Sequence, residues 1–325
     1  MPNALVISGG GSKGAFAVGA IEKLRERNIS FDIVAGTSTG SLIAPLVVTD
    51  DIELLRAIYS SVRTEDIIKK RDPLEILTTD AIYDSNPLWS LINSFIPEAR
   101  YARIIASPVE LFITTVNLQS GQLEYWNQHR SGPDGAVVSR RTLLRAMLAS
   151  ASEPVLMPPV VIKEDGDQYT DGGVREIAPL KVTIDHGATD IYAIVLSPDQ
   201  RQRSDETYVF IAKTLLRTID LFLQEIVTND IARAVLYNKA VRHLAALREK
   251  AATMLAADQV GAIFDDPQNP NPFAGKRPLN VYMIRPAEEL PTDGLEFSPV
   301  VMSQMMEMGK QAAQRALDHG PLPIA

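Results

Sequence analysis

The stretch Ala4-Leu5-Val6-Ile7-Ser8-Gly9-Gly10-Gly11-Ser12-Lys13-Gly14, answered by Phe31-Asp32-Ile33-Val34-Ala35-Gly36-Thr37-Ser38-Thr39-Gly40, decides the fold. Each half opens with a short apolar run rich in β-branched residues and breaks at glycine. Ala15 to Arg27 then interleaves Ala, Val, Ile and Leu with charges, the composition of a helix, and Ser41 to Val48 begins another. Strand, glycine turn and helix, twice in succession, predict consecutive βα units and a parallel sheet.

Working outward, residues 51–107 read as mostly helical, interrupted by Pro73, Pro87 and Pro97, with apolar positions such as Leu88, Trp89, Leu91, Ile92, Phe95 and Ile96. They form an insertion or cap over the sheet. Glu110 to Val116 and Leu123 to Trp126 predict a hairpin across Gln119-Ser120-Gly121, and Arg140 to Ser150 a helix. A second hairpin, Val160 to Ile162 with Gln168 to Thr170, delivers the chain into Asp171-Gly172-Gly173. Ile191 to Leu196 and Leu279 to Ile284 read as strands, Asp265 to Pro278 as a loop and Pro299 to Leu317 as a helix. From Glu206 to about Ala257 there is neither Gly nor Pro, and apolar residues including Phe210, Leu215, Ile219, Phe222 and Ile226 make a stripe broad enough to imply burial on more than one side. The expected architecture is a three-layer α/β/α domain with a mainly parallel central sheet and helical additions. No linker separates two halves, so residues 1–325 are read as a single domain, with a core over about 3–200 and a mostly helical part over about 201–325.

Composition narrows the function. In 325 residues, 32 basic and 40 acidic side chains leave a formal charge of −8, and Lys and Arg cluster no further than pairs and triplets, which argues against a nucleic-acid partner. The absence of cysteine removes thiolate metal sites and cysteine nucleophiles, and the four histidines lie far apart. No segment approaches the ~18 apolar residues of a spanning helix. Met1-Pro2-Asn3 lacks a basic leader, so the expected location is cytoplasmic, with peripheral contact at a membrane through exposed apolar cap residues.

Two glycine motifs carry chemistry. Gly36-Thr37-Ser38-Thr39-Gly40 is a G-x-S-x-G between a predicted strand and a predicted helix, the context in which a serine Oγ projects from a sharp turn at a helix N-terminus. Gly9-Gly10-Gly11-Ser12-Lys13-Gly14 also follows a strand. Read as G-x-G-x-x-G it matches a dinucleotide fingerprint, which makes a nucleotide-dependent oxidoreductase the rival, but the acidic residue at the required distance, Asp32, opens its strand rather than closing it. Successive glycines serve equally well as a row of unobstructed N–H groups for an oxyanion. Asp171 beside a buried serine could orient it and accept its proton.

These residues resemble the patatin-like phospholipase family. The likeness rests on four pieces in the family's order: Gly9 to Gly14, Gly36 to Gly40, the Ala-Ser-x-x-x-Pro segment Ala149-Ser150-Ala151-Ser152-Glu153-Pro154, and Asp171-Gly172-Gly173. The resemblance implies a Ser-Asp dyad of Ser38 and Asp171, an oxyanion hole drawn from the amides of Gly9, Gly10, Gly11 and Thr39, and an elbow held by Gly36 and Gly40. Lys13 becomes a candidate for binding substrate phosphate. The implied activity is hydrolysis of a lipid carboxylic ester, of the phospholipase A, lysophospholipase or esterase type, with no metal and no cofactor. Acyl transfer uses the same parts and stands as the alternative, and a binding protein on a silent hydrolase fold as another. One departure is visible: many members carry Asn six residues after the Asp, where this chain has Ile177.

Ser38, Asp171 and His186 also stand in the chain order of an α/β-hydrolase triad. His186, however, reads as a helix-end residue that caps carbonyls. An aspartate of ordinary pKa would leave the rate flat from pH 6 to 8 unless burial raised it into that range. Met302, Met305, Met306 and Met308 read as core, with an acyl groove as the alternative.

Overall fold

A computed structural model describes residues 2–76, 78–130, 135–199, 207, 209 and 211–322. The first βα unit is β1 (Asn3–Ile7) and α1 (Gly14–Glu26), the second β2 (Ile33–Thr37) and α2 (Thr39–Val48). The cap follows as α3 (Ile52–Ser61), α4 (Thr64–Ile67), β3 (Lys69–Lys70), α5 (Pro73–Ile76), β4 (Tyr83–Asp84), α6 (Asn86–Phe95) and α7 (Glu98–Ala106). Next come β5 (Glu110–Asn117), β6 (Leu123–Asn127), α8 (Arg140–Ser150), β7 (Val160–Val161), β8 (Gln168–Asp171), α9 (Leu180–Asp185) and β9 (Asp190–Ile194). The chain closes with α10 (Ile211–Ala252), α11 (Ala257–Phe264), β10 (Asn280–Ile284) and α12 (Pro299–His319).

The main sheet runs β10-β9-β1-β2-β5-β8-β7, with β6 also paired to β5. Its first five strands are parallel, and β6, β7 and β8 add antiparallel pairs. The turns after β1 and β2 therefore leave the same edge of the sheet, where open α/β sheets build their sites. Alternation along β1 separates two cores. Leu5 and Ile7 pack with residues of α1, α2, α3, α6, α8 and α12, while Ala4 and Val6 pack with residues of α9 and α10. This is the expected three-layer arrangement. Met302, Met305 and Met306 are buried in the first core, where α12 lies along α1, so the core reading of the methionines holds.

In the cap, Leu88, Ile92, Phe95 and Ile96 are buried, with α6 packed over α4 and α8, while Leu74 of α5 stands exposed. One expectation needs correction. The long helix is not buried on several sides. Phe222 is 64% exposed and Leu215 42%, and the buried line along α10 is Val227, Asp230, Ala234, Asn238 and Val241. Two of those five are polar because they satisfy backbone groups of other segments. Asn238 donates to Leu279 O at 2.6 Å and accepts from Leu279 N–H at 2.9 Å. Glu206 and Phe210, at the start of the expected run, lie outside the described residues.

Among the described residues no helix is long and apolar enough to cross a membrane.

Candidate active site

Strand register brings the two halves of the site together. Thr37, the last residue of β2, pairs with Thr114 of β5, and Asp171, the last residue of β8, pairs with the next residue, Thr115. β2 and β8 thus meet along one side of β5, with Ser38 leaving one and Asp171 ending the other. The Ser38 side chain lies close enough to the Asp171 carboxyl to pull its pKa down.

Ser38 has φ 56° and ψ −126°, a left-handed conformation that a residue with a Cβ adopts only under constraint. The constraint is visible on every side. Its N–H donates to Ser150 Oγ at 3.0 Å, and its carbonyl accepts from Ser41 N–H at 2.9 Å and Ser41 Oγ at 2.6 Å. A Cβ at Gly36 would stand 2.2 Å from Gly40 O, and one at Gly40 would stand 2.2 Å from Ile7 O, so both glycines are required by close approach. Thr39 opens α2, and its hydroxyl shares a 2.6 Å hydrogen bond with Tyr59 OH.

Asp171 is nearly inaccessible, at 6% exposure. Burial pushes its carboxyl up to about 7, against the opposing pull of the hydrogen bond from Gly173 N–H, at 2.7 Å, and of the nearby Ser38 side chain. Its own N–H donates to Ser152 O at 3.0 Å, and Thr170 Oγ1 donates to the same carbonyl at 2.7 Å. Ser150 and Ser152, in one short segment, therefore hold Ser38 and Asp171 respectively. Glu153, next along, is pushed up to about 7 by burial and by the charges of Asp171 and Asp220.

The glycine loop lies beside the serine. Gly10 and Gly11 have φ 152° and 56°, conformations that glycine tolerates, and their N–H groups meet no acceptor among the described residues. Gly9 differs from expectation. Its N–H donates to Ile177 O at 3.2 Å, so it is not available to a substrate oxygen. Ser12 N–H is likewise taken, by Gly294 O at 2.9 Å. Lys13 is half-buried at the end of the turn, its N–H donating to Gly10 O, and it is not on the pocket wall.

That wall is apolar. A cleft of about 620 Å³, open to solvent, has Ser38, Thr39 and Gly11 on its lining, and Leu46, Leu55, Val62, Leu88 and Phe95 among its other walls. The cap supplies most of these, and Phe297, from the loop before α12, supplies one more.

The family model described as patatin-like phospholipase matches residues 5–184, more than half of the chain, a span that holds both Ser38 and Asp171 and ends before β9. The chain belongs to the patatin-like phospholipase family. A patatin-like phospholipase domain-containing protein of Caenorhabditis elegans is 29% identical over 194 residues, 58% of this chain and 13% of that one. An uncharacterized protein of Bacillus subtilis, YqhO, is 28% identical over 210 residues, 61% of this chain and 72% of its own. Lysophospholipase NTE1 of Mycosarcoma maydis is 26% identical over 193 residues, 58% of this chain and 9% of that one. The chain thus matches only a small part of the worm and fungal relatives.

Within this patatin-like site, the departure at Ile177 leaves no loose end. The Ile177 N–H donates to Asp230 Oδ2 at 3.0 Å, and Ala178 N–H to the same oxygen at 3.1 Å. Nothing in the sequence pattern singled out Asp230, or the contacts of Gly294 and Phe297, because they come from far along the chain. His186 caps α9, its Nδ1 2.8 Å from Val182 O and its ring against Phe112, and it is not on the wall of the cleft beside Ser38. The dinucleotide reading loses its ribose ligand. Asp32 precedes β2, at the edge of the sheet opposite the glycine loop, and its carboxylate accepts from Asn3 N–H at 2.8 Å.

Proposed function

We propose that this protein hydrolyses carboxylic esters of lipids, with Ser38 as nucleophile and Asp171 as its base. The observation that carries the proposal is the juxtaposition of a strained, elbow-mounted Ser38 and a buried Asp171, at an apolar cleft flanked by unpaired amides. Ser38 Oγ attacks the acyl carbonyl carbon while Asp171 takes its proton. A base poised near 7 suits that transfer better than an ordinary aspartate would. The amides of Gly10 and Gly11, with Thr39 N–H at the start of α2, stabilise the tetrahedral oxyanion. Collapse expels the alcohol, which takes the proton from Asp171. Water, activated by the same carboxylate, then attacks the acyl-serine and releases the fatty acid. The apolar cleft suits an acyl chain, and membership of a phospholipase family with a lysophospholipase among the relatives supports a lipid substrate.

The test is hydrolysis of lysophosphatidylcholine and of p-nitrophenyl esters of graded chain length, by the wild type and by Ser38→Ala. The wild type turns over both classes and Ser38→Ala neither, with unchanged circular dichroism. Turnover by Ser38→Ala near the wild-type rate puts the nucleophile elsewhere.

A further inference from the structure

Asp230 lies on α10, beyond residues 5–184 that the family model matches. It is 5% exposed, and one of its oxygens receives two backbone donors, Ile177 N–H at 3.0 Å and Ala178 N–H at 3.1 Å. The Ile177 peptide is also the anchor of the glycine loop, since its carbonyl accepts from Gly9 N–H at 3.2 Å. The Ile177 side chain fills the space between two loops: its Cγ1 lies 3.2 Å from where a Cβ of Gly9 would stand and 3.5 Å from where one of Gly173 would stand. Any shift of Ile177 is therefore felt both beside Asp171 and at the start of the oxyanion loop. Across the loop, Ser12 N–H is pinned to Gly294 O at 2.9 Å. Gly10 and Gly11, with their unpaired amides, span the gap between these two anchors, and only one of them leads back to a side chain on α10.

We propose that Asp230 is a positioning residue for ester hydrolysis: by holding the Ile177 and Ala178 amides it fixes Gly9 and so aims the Gly10 and Gly11 amides at the carbonyl above Ser38. The proposal rests on the hydrolase reading of the site. It makes the long helix, which contributes no described residue to the cleft wall, part of what orients the oxyanion hole. An oxyanion donor acts mainly on the transition state, so a misaimed loop lowers kcat and leaves KM nearly alone.

The experiment compares Asp230→Ala, Asp230→Asn and Asp230→Glu in the full chain. Asp230→Ala removes the acceptor, Asp230→Asn keeps a side-chain oxygen where the two N–H groups point, and Asp230→Glu keeps the charge on a longer arm. Expected for Asp230→Ala is a loss of about 10- to 100-fold in kcat and in the rate of fluorophosphonate labelling at Ser38, with KM within about threefold. Asp230→Asn keeps at least about a third of kcat, and Asp230→Glu, the variant to read where Asp230→Ala fails to fold, loses at least about fivefold. Wild-type kcat in Asp230→Ala or Asp230→Glu overturns the proposal, as does equal loss in Asn and Ala or a loss confined to KM. Hydrogen exchange supplies a readout independent of turnover. In Asp230→Ala or Asp230→Glu, faster exchange over Gly9 to Ser12 as well as Ile177 to Ala178 supports the coupling, and faster exchange at Ile177 to Ala178 alone refutes it. A wild-type protein that neither cleaves esters nor labels at Ser38 refutes the hydrolase reading, and with it Asp230's part in that reaction.

Discussion

Asp171→Asn should make the protein more stable and less active, and the stability gain should depend on pH. Burial raises the folded-state pKa of Asp171 from the ordinary 3.8 to about 7. In that interval the unfolded chain has released its proton while the folded chain still holds it. The contribution of Asp171 to stability is therefore full below pH 3.8, declines as pH rises toward 7, and is lost above it. At about 1.4 kcal/mol per tenfold, the span corresponds to a penalty of roughly 4 kcal/mol at pH 8. An Asn carries no charge to desolvate and can still accept from Gly173 N–H, so it escapes most of that penalty. Glu153 adds to the gain, because the Asp171 charge that helps push its carboxyl up is removed in the Asn variant. The expected gain is about 1–4 kcal/mol at pH 8, shrinking toward zero near pH 4. Urea unfolding of both proteins at pH 4, 6 and 8, followed by circular dichroism, measures it. In the same variant kcat falls at least about 10²-fold, from loss of a positioned base. Wild-type kcat/KM should climb to a plateau as pH rises through about 7. A stability difference that is constant from pH 4 to 8 would falsify the burial argument, and an Asp171→Asn enzyme with near wild-type kcat would remove Asp171 from the reaction.

Two further outcomes follow from side chains around the site. His186→Ala should change kcat by less than about tenfold and lower stability by about 1 kcal/mol, since the ring caps α9 and packs on Phe112; kinetics on the folded variant decide, and a crippled enzyme would favour a triad. Val62→Phe narrows the cleft from the cap side, so kcat/KM for long-chain p-nitrophenyl esters should fall at least about tenfold more than for the acetate. Equal loss on both would mean the chain does not lie along that wall.

Much of this was readable because local chemistry left few options. β1 and β2 are mostly apolar because a central parallel strand is covered on both faces, and Gly40 follows β2 because the chain there turns within contact distance of Ile7 O. The elbow was legible for the same reason. The segment Ala149 to Pro154 stood out only through resemblance, and its purpose appears once Ser150 and Ser152 are seen to hold the two halves of the site. Other features depend on where distant residues arrive. Asp230 and Asn238 sit on the buried side of α10, where a periodicity argument expects apolar residues, because each answers backbone groups of another segment. Phe222 and Leu215 extend the apolar count but face outward. Nor does a row of glycines reveal which amide is already taken, as Gly9 is, and an aspartate does not announce the burial that lifts Asp171.

The central claim is that Ser38 is the nucleophile of this site, and covalent capture tests it most directly. The wild-type protein is treated with a fluorophosphonate, digested, and the adduct located by mass spectrometry. The account predicts one adduct, on Ser38, absent from Ser38→Ala and formed at least about 10²-fold more slowly in Asp171→Asn. An adduct on another residue, or labelling of Ser38→Ala at the wild-type rate, would contradict it.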